Sequence, residues 1–382
     1  MTNNTAPSPS SPTPPAPAAA NRIKTVTIEG FRSIKNVARL ELPQLGVLIG
    51  GNGTGKSNLI RFFEMVSFML TAKNLQGFVA RYGGGDDLLF MGARTTPRLH
   101  AEVSIETQQG CNDYSFDLVH VANDTLVVTH EAYRFSDFNH PDPAHWTGLD
   151  AIGKESSLPE QQNRTARTIL SLLRSCSTYH FHETSLKAPI HMSWDITDCV
   201  HLRDDGGNLA AVLLDLREND RKRYDLIVAQ IRRVLPTFKD FILEPVHGKV
   251  LLRWVGQYSD KVFGSHLTSD GSLRLFCLIT LLNLPIERLP NVLLFDEPEL
   301  GLHPHAMTLI AAMFKRVARY RQVIVATQSP YLVDCFDLDN IIIVRAPNGE
   351  SQFHKLSRKE YQSWLEDDYL PSDIWLKESV GG

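Results

Sequence analysis

The sequence predicts an α/β fold with a mixed central sheet, and three patterns support this prediction. Residues 45–49 form a short apolar run that leads into a glycine-rich turn and then into a segment whose apolar residues have helical spacing. Residues 292–295 form a second apolar run, which ends in two adjacent acids. Between residues 99 and 118, apolar and polar residues alternate, which predicts an antiparallel sheet with one buried face.

The glycine-rich turn at 50–57 fits the pattern of a phosphate-binding loop, which is Gly, four residues and then Gly-Lys-Ser. Small residues let backbone N–H groups converge on phosphate oxygens, and the N-terminus of the following helix favours negative charge. We expect Lys56 to contact the β- and γ-phosphates and Ser57 to bind Mg²⁺. The residues predicted to contact the nucleotide here are Gly50, Asn52, Gly53, Thr54, Gly55, Lys56, Ser57 and Asn58. The competing interpretation is a glycine-rich turn with one exposed lysine.

Asp296 and Glu297 end the second apolar run, a pattern typical of a buried parallel strand whose carboxyl end faces a ligand. Adjacent strand residues point to opposite faces, so the two carboxylates can have different tasks. We expect Asp296 to hold hydrated Mg²⁺ and Glu297 to act as general base toward the attacking water. Taken alone, the pair also fits helix caps or solvated turn residues. Together with the glycine-rich turn, it predicts one site for ATP and Mg²⁺.

Further segments follow in a fixed order along the chain. They are Phe-Arg-Ser-Ile at 31–34, Leu-Thr-Ser-Asp-Gly-Ser-Leu-Arg-Leu at 267–275, Asp-Glu-Pro-Glu-Leu-Gly-Leu-His-Pro at 296–304 and Val-Ile-Val-Ala-Thr-Gln-Ser at 323–329. This set resembles the ATP-binding-cassette (ABC) heads of the RecF, SMC and OLD-like ATPases, in particular the small RecF-like group. The resemblance covers residues 22–382. It implies a P-loop NTPase fold of the ABC-ATPase head type, with an N-terminal antiparallel β-subdomain and a small helical insertion.

In such heads, the segment at 268–272 is the signature that completes the ATP site of a second, head-to-tail copy. The resemblance therefore implies a homodimer that forms on ATP binding, with Ser269 and Gly271 contacting the nucleotide held by the partner copy. The apolar residues after Gly271 have helical spacing, so a helix N-terminus would face the γ-phosphate. Without the resemblance, the segment fits an Asp-Gly turn followed by a helix cap.

Two residues depart from the cassette pattern. Asp270 stands where transporter cassettes usually have glycine, which places a negative charge near phosphate. Gln328 stands where many cassettes have a switch histidine, and glutamine can hydrogen-bond to phosphate or water but cannot become cationic. We therefore expect slow turnover, with Glu297, Gln328 and Lys56 as the catalytic residues. Arg32 is assigned to the nucleotide site by the resemblance.

In such heads, a glutamine of the Q-loop contacts magnesium. The sequence around the glutamines of this chain does not show which of them has this role. The candidates are Gln76, Gln108 and Gln109.

Composition limits the class of protein. The chain has 382 residues, 43% of them hydrophobic, which is enough to bury a large core in two or three units. Its net charge of −4 restricts any DNA-binding surface to a local patch. The five cysteines are scattered without a Cys-x-x-Cys pair, which argues against a disulfide framework or a zinc site. Because the chain shows no signal-peptide pattern and its longest apolar stretch, 275–286, is too short for a bilayer, we expect a cytoplasmic protein without a membrane segment.

Shifts in composition divide the chain into five predicted segments. Residues 1–21 are an uncharged tail rich in Pro, Ala and Ser, which predicts disorder. Residues 22–135 form the N-terminal part of the head, with the phosphate loop and the antiparallel sheet, and 206–345 form its C-terminal part, with the signature and the acids. Residues 136–205 are predicted as an insertion, a short equivalent of the SMC arm, and 346–382 as a C-terminal tail that packs on the head.

Several basic residues are candidate contacts for DNA or a protein partner. They are Arg164, Arg167 and Arg174 in the insertion, and Arg217, Arg221, Lys222, Arg223, Arg232 and Arg233 further along the chain. The competing interpretation is a solvated helix face that pairs with nearby acids. A metal site is also considered at four histidines, but no acid or cysteine completes it, so packing or partner contact is preferred. These histidines are His180, His182, His191 and His201.

The sequence thus predicts an ABC-type ATPase that dimerises on ATP and works in DNA maintenance or anti-phage defence. Its further partners would be DNA and a separate nuclease or toxin effector, because the residues after 344 are too few for a nuclease domain. Two alternatives stay open. One is a nucleotide-binding scaffold or sensor that barely hydrolyses ATP, which the glutamine at 328 favours. The other is the ATPase subunit of an ABC transporter, which the segments 31–33 and 299–304 disfavour.

Overall fold

The structure is a computed structural model that describes residues 21–71, 74–140, 144–150, 152–181, 185, 187–367 and 369–380. Of the predicted tail at 1–21, only Asn21 is among the described residues. His182 also lies outside the described residues. Among the described helices, none is both long enough and apolar enough to cross a membrane.

The first half of the chain contains the elements listed next in chain order. They are β1 (Arg22–Phe31), β2 (Ile34–Glu41), β3 (Leu45–Ile49), α1 (Lys56–Thr71), α2 (Leu75–Arg81), β4 (Arg98–Glu106), β5 (Gly110–Val121), β6 (Thr125–Asp137), β7 (Thr147–Gly148), α3 (Arg164–Leu173) and β8 (Cys176–Tyr179). The second half begins with a region that combines helices and short strands. It comprises β9 (Trp194–Asp195), α4 (Leu209–Asn219), α5 (Arg221–Val234), β10 (Phe238–Ile242), β11 (Lys249–Val250), β12 (Arg253–Gly256) and β13 (Ser259–Gly264).

The remaining elements complete the head. They are α6 (Asp270–Asn283), β14 (Val292–Asp296), α7 (Pro304–Val317), β15 (Gln322–Thr327), α8 (Pro330–Val333), β16 (Ile341–Arg345), β17 (Gln352–Lys355), α9 (Gln362–Glu366) and α10 (Pro371–Val380). In the segment after 345, β17 pairs with β16, and the Ser372 hydroxyl donates a hydrogen bond to the Asp334 carboxylate at 2.9 Å.

The central sheet has the strand order β17–β16–β3–β15–β14–β8, and its strands are parallel except β17. Strands β3 and β15 are buried at every residue, because both faces of this sheet are covered. This explains why they are continuous apolar runs rather than alternating ones. In the register, Thr327 pairs with Ile49 and Asp296 with Ala326, so β3, β14 and β15 end side by side.

The antiparallel sheet has the order β2–β1–β4–β5–β6–β7. Strand β4 alternates between buried and partly exposed residues, as its sequence pattern predicts. Helix α1 lies between the two sheets and buries residues such as Leu59, Phe62 and Phe63. The other face of the central sheet packs on α4, α5, α6 and α7. The predicted fold, an α/β head with a mixed central sheet and an antiparallel β-subdomain, is confirmed.

One part of the sheet differs from expectation. Residues 176–179, which lie within the predicted insertion at 136–205, form β8 and pair in parallel with β14. The predicted insertion thus contributes an edge strand to the central sheet. The sequence Cys-Ser-Thr-Tyr is too short and too polar to be recognised as a buried parallel strand.

Candidate nucleotide site

The glycine-rich turn links the end of β3 to the start of α1. Gly53 and Gly55 have φ angles of +76° and +100°, a region that favours glycine. Gly50 is required for another reason, because a Cβ atom there would lie 2.2 Å from the Val344 carbonyl oxygen of β16. The turn therefore passes close to the sheet and leaves its backbone free to surround an anion.

Lys56 is the first residue of α1 and points back into the turn. Its ammonium donates hydrogen bonds of 2.8 Å to the carbonyl oxygens of Gly50 and Gly51. The side chain is only 4% exposed, and this burial lowers the pKa of Lys56, although the carboxylates of Glu297, Asp296 and Glu299 act in the opposite direction. The lysine thus places a desolvated positive charge inside the loop, as the phosphate-binding pattern requires.

Ser57 and Asp296, the two residues predicted to bind magnesium, meet in the structure. The Ser57 hydroxyl donates a hydrogen bond of 3.0 Å to the Asp296 carboxylate across 239 residues of sequence. A hydroxyl and a carboxylate are oxygen ligands of the kind that Mg²⁺ prefers. The two side chains therefore fit a magnesium ion at the mouth of the glycine-rich turn.

Glu297 and Gln328 form the other side of the site. Glu297 follows β14 with a φ angle of +46°, an unusual conformation for a residue with a side chain. Its backbone N–H still donates to the Ala326 carbonyl oxygen at 2.8 Å, which keeps the turn against β15. The Gln328 side-chain amide donates a hydrogen bond to the Glu297 carboxylate. The predicted general base and the predicted switch residue are therefore direct neighbours.

A set of hydroxyl and amide groups supports the back of the turn. The Asn58 amide donates to the Ser33 hydroxyl at 2.6 Å, and the Ser33 and Ser351 hydroxyls lie 2.6 Å apart. The Ser351 hydroxyl also donates to the Thr54 carbonyl oxygen at 2.7 Å. Asn58, predicted to contact the nucleotide, thus faces this support. Ser351 follows β16 by six residues in sequence, and no motif pointed to it.

Arg32 lies in the hairpin between β1 and β2, beside this support. Its φ angle is +50°, and its Nη1 atom is buried without a hydrogen-bond partner among the described residues. Burial lowers the pKa of Arg32, and the nearby Arg61 lowers it further. A buried donor without an acceptor can bind an anion, but the groups that act electrostatically on Arg32 are Arg61, Asp87 and Tyr82 rather than residues of the phosphate loop, so its place in the nucleotide site stays a prediction.

The signature residues lie apart from the phosphate loop of the same chain. Ser269 is the exposed N-cap of α6, and its hydroxyl accepts a hydrogen bond of 3.3 Å from the Ser272 backbone. A Cβ atom on Gly271 would lie 2.2 Å from the Gly301 carbonyl oxygen, so the start of α6 packs against the turn after β14. Among the described residues, no hydrogen bond joins Ser269 or Gly271 to the residues at 50–58.

None of the three Q-loop candidates is hydrogen-bonded to the phosphate loop in the described part of the chain. The Gln76 amide donates to the Leu126 and Lys154 carbonyl oxygens, and Gln109 accepts from Arg164 at 2.9 Å. Gln108 lies with Gln109 in the turn between β4 and β5. The sheet register instead places His180 next to this edge, since Tyr179, the last residue of β8, pairs with Phe295, the residue before Asp296 at the end of β14.

Most of the candidate basic residues have partners within the chain. Arg174 donates to the Leu70 carbonyl oxygen, Arg221 pairs with Asp225, and Arg223 pairs with Asp220. These contacts agree with the competing interpretation of a solvated, paired helix face. In the described part of the chain, no group of three or more His, Cys, Asp or Glu residues could hold a metal ion.

Glu299 is a second residue of this site that the sequence analysis did not assign. It is 7% exposed and lies beside the ends of β14 and β15, where its carboxylate accepts a hydrogen bond of 2.5 Å from the Thr327 hydroxyl. The only available signal was its place in the Asp-Glu-Pro-Glu segment.

Comparisons with known proteins concern the family and the fold. Residues 188–334 match the family described as "AAA domain, putative AbiEii toxin, Type IV TA system". The Chromosome partition protein Smc of Desulfitobacterium hafniense (strain Y51) is 33% identical over 114 residues, which cover 29% of this chain and 9% of that protein. The chain therefore matches only a small part of that relative's length.

Two solved structures share the fold. One is an Smc head bound to the C-winged helix domain of ScpA, with a TM-score of 0.59 and 16% identity over 89% of this chain and 99% of the other. The second is an Smc head domain with an extended coiled coil, bound to the C-terminal domain of ScpA derived from Pyrococcus furiosus. It has a TM-score of 0.56 and 15% identity over 91% of this chain and 99% of the other. With the family match, they confirm the predicted resemblance to SMC/RecF-like ABC-type ATPases.

Proposed function

We propose that this chain, which has the head fold of the SMC/RecF-like ABC-type ATPases, binds MgATP and hydrolyses it slowly between two head-to-tail copies. One observation carries the proposal. The Ser57 hydroxyl and the Asp296 carboxylate, from motifs that are distant in sequence, meet at 3.0 Å beside a buried lysine in a glycine-rich turn. This is the arrangement that phosphoryl transfer from a magnesium nucleotide requires.

Each side chain has a proposed role in this reaction. Lys56 and the backbone of the turn bind the β- and γ-phosphates, with Arg32 as an additional donor toward the nucleotide. Ser57 and Asp296 hold Mg²⁺, which supplies charge neutralisation when it is bound. Glu297 accepts a proton from the attacking water, and Gln328, which already donates a hydrogen bond to Glu297, orients this carboxylate.

The proposed dimer follows from the position of the signature. Ser269 is exposed at the N-terminus of α6, where unpaired N–H groups favour an anion, yet it makes no hydrogen bond to the chain's own phosphate loop within the described residues. Leu267 and Leu300, on either side of this N-terminus, are 56% and 41% exposed. A partner copy that presents its nucleotide to Ser269 and Gly271 would cover both side chains.

The biological setting is proposed from the relatives. Smc heads of the same fold are bound to ScpA domains. The description of the matched family names the AbiEii toxin. We place this chain in DNA maintenance or in anti-phage defence, with DNA and a separate nuclease or toxin effector as partners. A nucleotide sensor with little hydrolysis is the second candidate, because Gln328 cannot become cationic beside the transferred phosphate.

An ATPase assay on wild type, Glu297→Gln and Lys56→Ala tests the proposal. Wild type should hydrolyse MgATP slowly, and Glu297→Gln should lose about 10²- to 10⁴-fold of this rate while it still binds MgATP. Lys56→Ala should lose binding itself. Glu218→Gln, on an exposed position of α4, is the matched control and should retain the wild-type rate. Equal rates for wild type and Glu297→Gln would remove Glu297 as the base.

A further inference from the structure

We propose that Glu299 is a positioning residue, which holds the segment Thr327–Ser329 so that the Gln328 side chain stays on the catalytic carboxylate of Glu297. This inference deepens the proposed function and rests on it. It concerns a residue that lies behind the site rather than one that touches the nucleotide.

Within the described residues, the donors to the Glu299 side chain all come from one segment. Its Oε1 atom accepts a hydrogen bond of 2.5 Å from the Thr327 hydroxyl and one of 3.1 Å from the Gln328 backbone N–H. The Thr327 hydroxyl oxygen in turn accepts a hydrogen bond of 3.0 Å from the Ser329 backbone N–H. One carboxylate oxygen therefore fixes three consecutive residues at the end of β15.

The same segment returns to the catalytic turn. The Gln328 backbone N–H donates to the Glu299 carboxylate, and the Gln328 side-chain amide donates to the Glu297 carboxylate. Glu297 precedes Glu299 by two residues in the same turn. Glu297 has a positive φ, so this turn does not have a conformation that an ordinary residue adopts freely. Glu299 and Gln328 thus close a ring of contacts that holds Glu297 in this conformation.

Among the described residues, the burial of the Glu299 carboxylate is not matched by donors at both of its oxygens. The side chain is 7% exposed, and its Oε2 atom has no hydrogen-bond partner among the described residues. Burial raises the pKa of Glu299 above its usual range. A carboxyl group that is desolvated and only half-satisfied is unfavourable for folding unless its position serves a purpose. Its contacts to Thr327 and Gln328 indicate what this purpose is.

Hydrogen exchange tests the contact without requiring any catalysis. In Glu299→Ala, the Gln328 amide loses its acceptor, and the Thr327 hydroxyl that accepts from the Ser329 amide loses its anchor, so both amides should exchange about tenfold faster than in wild type. Glu299→Gln keeps an amide oxygen for both donors and should exchange at close to the wild-type rate. Thr327→Val is the second variant. It removes only the Thr327 hydroxyl, so it should accelerate the hydrogen exchange of the Ser329 amide and not that of the Gln328 amide. Unchanged exchange in Glu299→Ala would overturn the proposal.

Kinetics test whether the contact acts through Gln328. Glu299→Ala should lower the kcat for ATP by about 10- to 100-fold with little change in KM, and Glu299→Gln should recover most of the rate. In a Gln328→Ala background, Glu299→Ala should cause no further loss, because the group it positions is already absent. A full additional loss in that background would show that Glu299 acts independently and would overturn the proposal.

The two measurements separate this inference from the proposed function. If wild type hydrolyses no ATP, the proposed ATPase activity fails, and the exchange rates of Gln328 and Ser329 still decide whether Glu299 holds the segment. Glu218→Ala, an exposed acid of α4, is the matched control and should change neither exchange nor rate.

Discussion

Lys56 and Glu299 are two buried ionisable residues of the same site, and their surroundings differ. The Lys56 ammonium has two carbonyl acceptors and lies near the carboxylates of Glu297 and Asp296, so its charge is supported although burial lowers its pKa. In the part of the chain that the structure describes, the Glu299 carboxylate has donors at one oxygen only. An uncompensated buried charge is much less favourable than a paired one. The lysine thus fits the charged state, whereas the acid is pushed toward its neutral state.

This difference predicts how stability depends on pH. Because burial raises the pKa of Glu299 above 4.5, the folded chain binds this proton more tightly than the unfolded chain. The resulting stabilisation is complete at low pH and is lost as the pH rises through the raised pKa. Glutamine has no proton to lose, so the Tm of Glu299→Gln minus that of wild type should increase as the pH rises from 4.5 through the raised pKa.

The measurement is thermal unfolding of both proteins across this pH range, without nucleotide or Mg²⁺. Glu218→Gln, at an exposed position, serves as the reference for a glutamate that burial does not affect. A Tm difference between Glu299→Gln and wild type that stays constant with pH would contradict the raised pKa.

At the scale of elements, the close contact between the phosphate loop and β16 is made at Gly50 and not at the adjacent Gly51. Gly50 and Gly51 are adjacent, but only a Cβ atom on Gly50 would meet the backbone, 2.2 Å from the Val344 carbonyl oxygen. On Gly51, the nearest atom would lie at 3.9 Å. A backbone carbonyl within a parallel sheet cannot move away without loss of sheet hydrogen bonds.

We therefore predict opposite behaviour of two similar variants. Gly50→Ala should lower the free energy of unfolding by about 1–3 kcal/mol, as overpacking does, and Gly51→Ala should change it by no more than about 0.5 kcal/mol. Urea unfolding of both variants measures this difference. Equal unfolding midpoints would show that the turn does not lie against β16 as described.

The elements that the sequence predicts well are those with a strong local pattern. The run at 45–49, the glycine-rich turn and α1 are recognisable because strand, turn and helix follow each other without interruption. Strand β14 is recognisable from four apolar residues before the acids. Helix α3 begins at Arg164 and ends at Leu173, and its Asn163 cap and apolar spacing are likewise local features.

The features that escaped the sequence depend on contacts between distant segments. Strand β8 is a strand because β14 offers it a free edge, which four mixed residues cannot reveal. Ser351 supports the turn because a strand pair returns the chain to Ser33, more than 300 residues away. Glu299 becomes structurally important only once β15 is placed beside β14. The site's primary groups were therefore predictable from sequence, and the groups behind them were not.

At the scale of the whole molecule, the proposed site is divided between two surfaces. The phosphate loop, the acids and Gln328 converge at the edge where β3, β14 and β15 end, while Ser269 is exposed at the start of α6. In a two-fold dimer, the phosphate-loop surface of each copy would contact the Ser269 surface of the other copy. The dimer would then contain two equivalent composite sites. A single chain would then be unable to complete its own site.

Mixing two inactive variants tests this division most directly. Lys56→Ala lacks a working phosphate loop but keeps its signature, and Ser269→Arg lacks a working signature but keeps its phosphate loop. Each variant alone should hydrolyse almost no ATP, although thermal unfolding should show both to be folded. Combined, they should regain a substantial part of the wild-type rate, because each mixed dimer holds one intact composite site. No recovery in the mixture, or full activity of Ser269→Arg alone, would contradict the account.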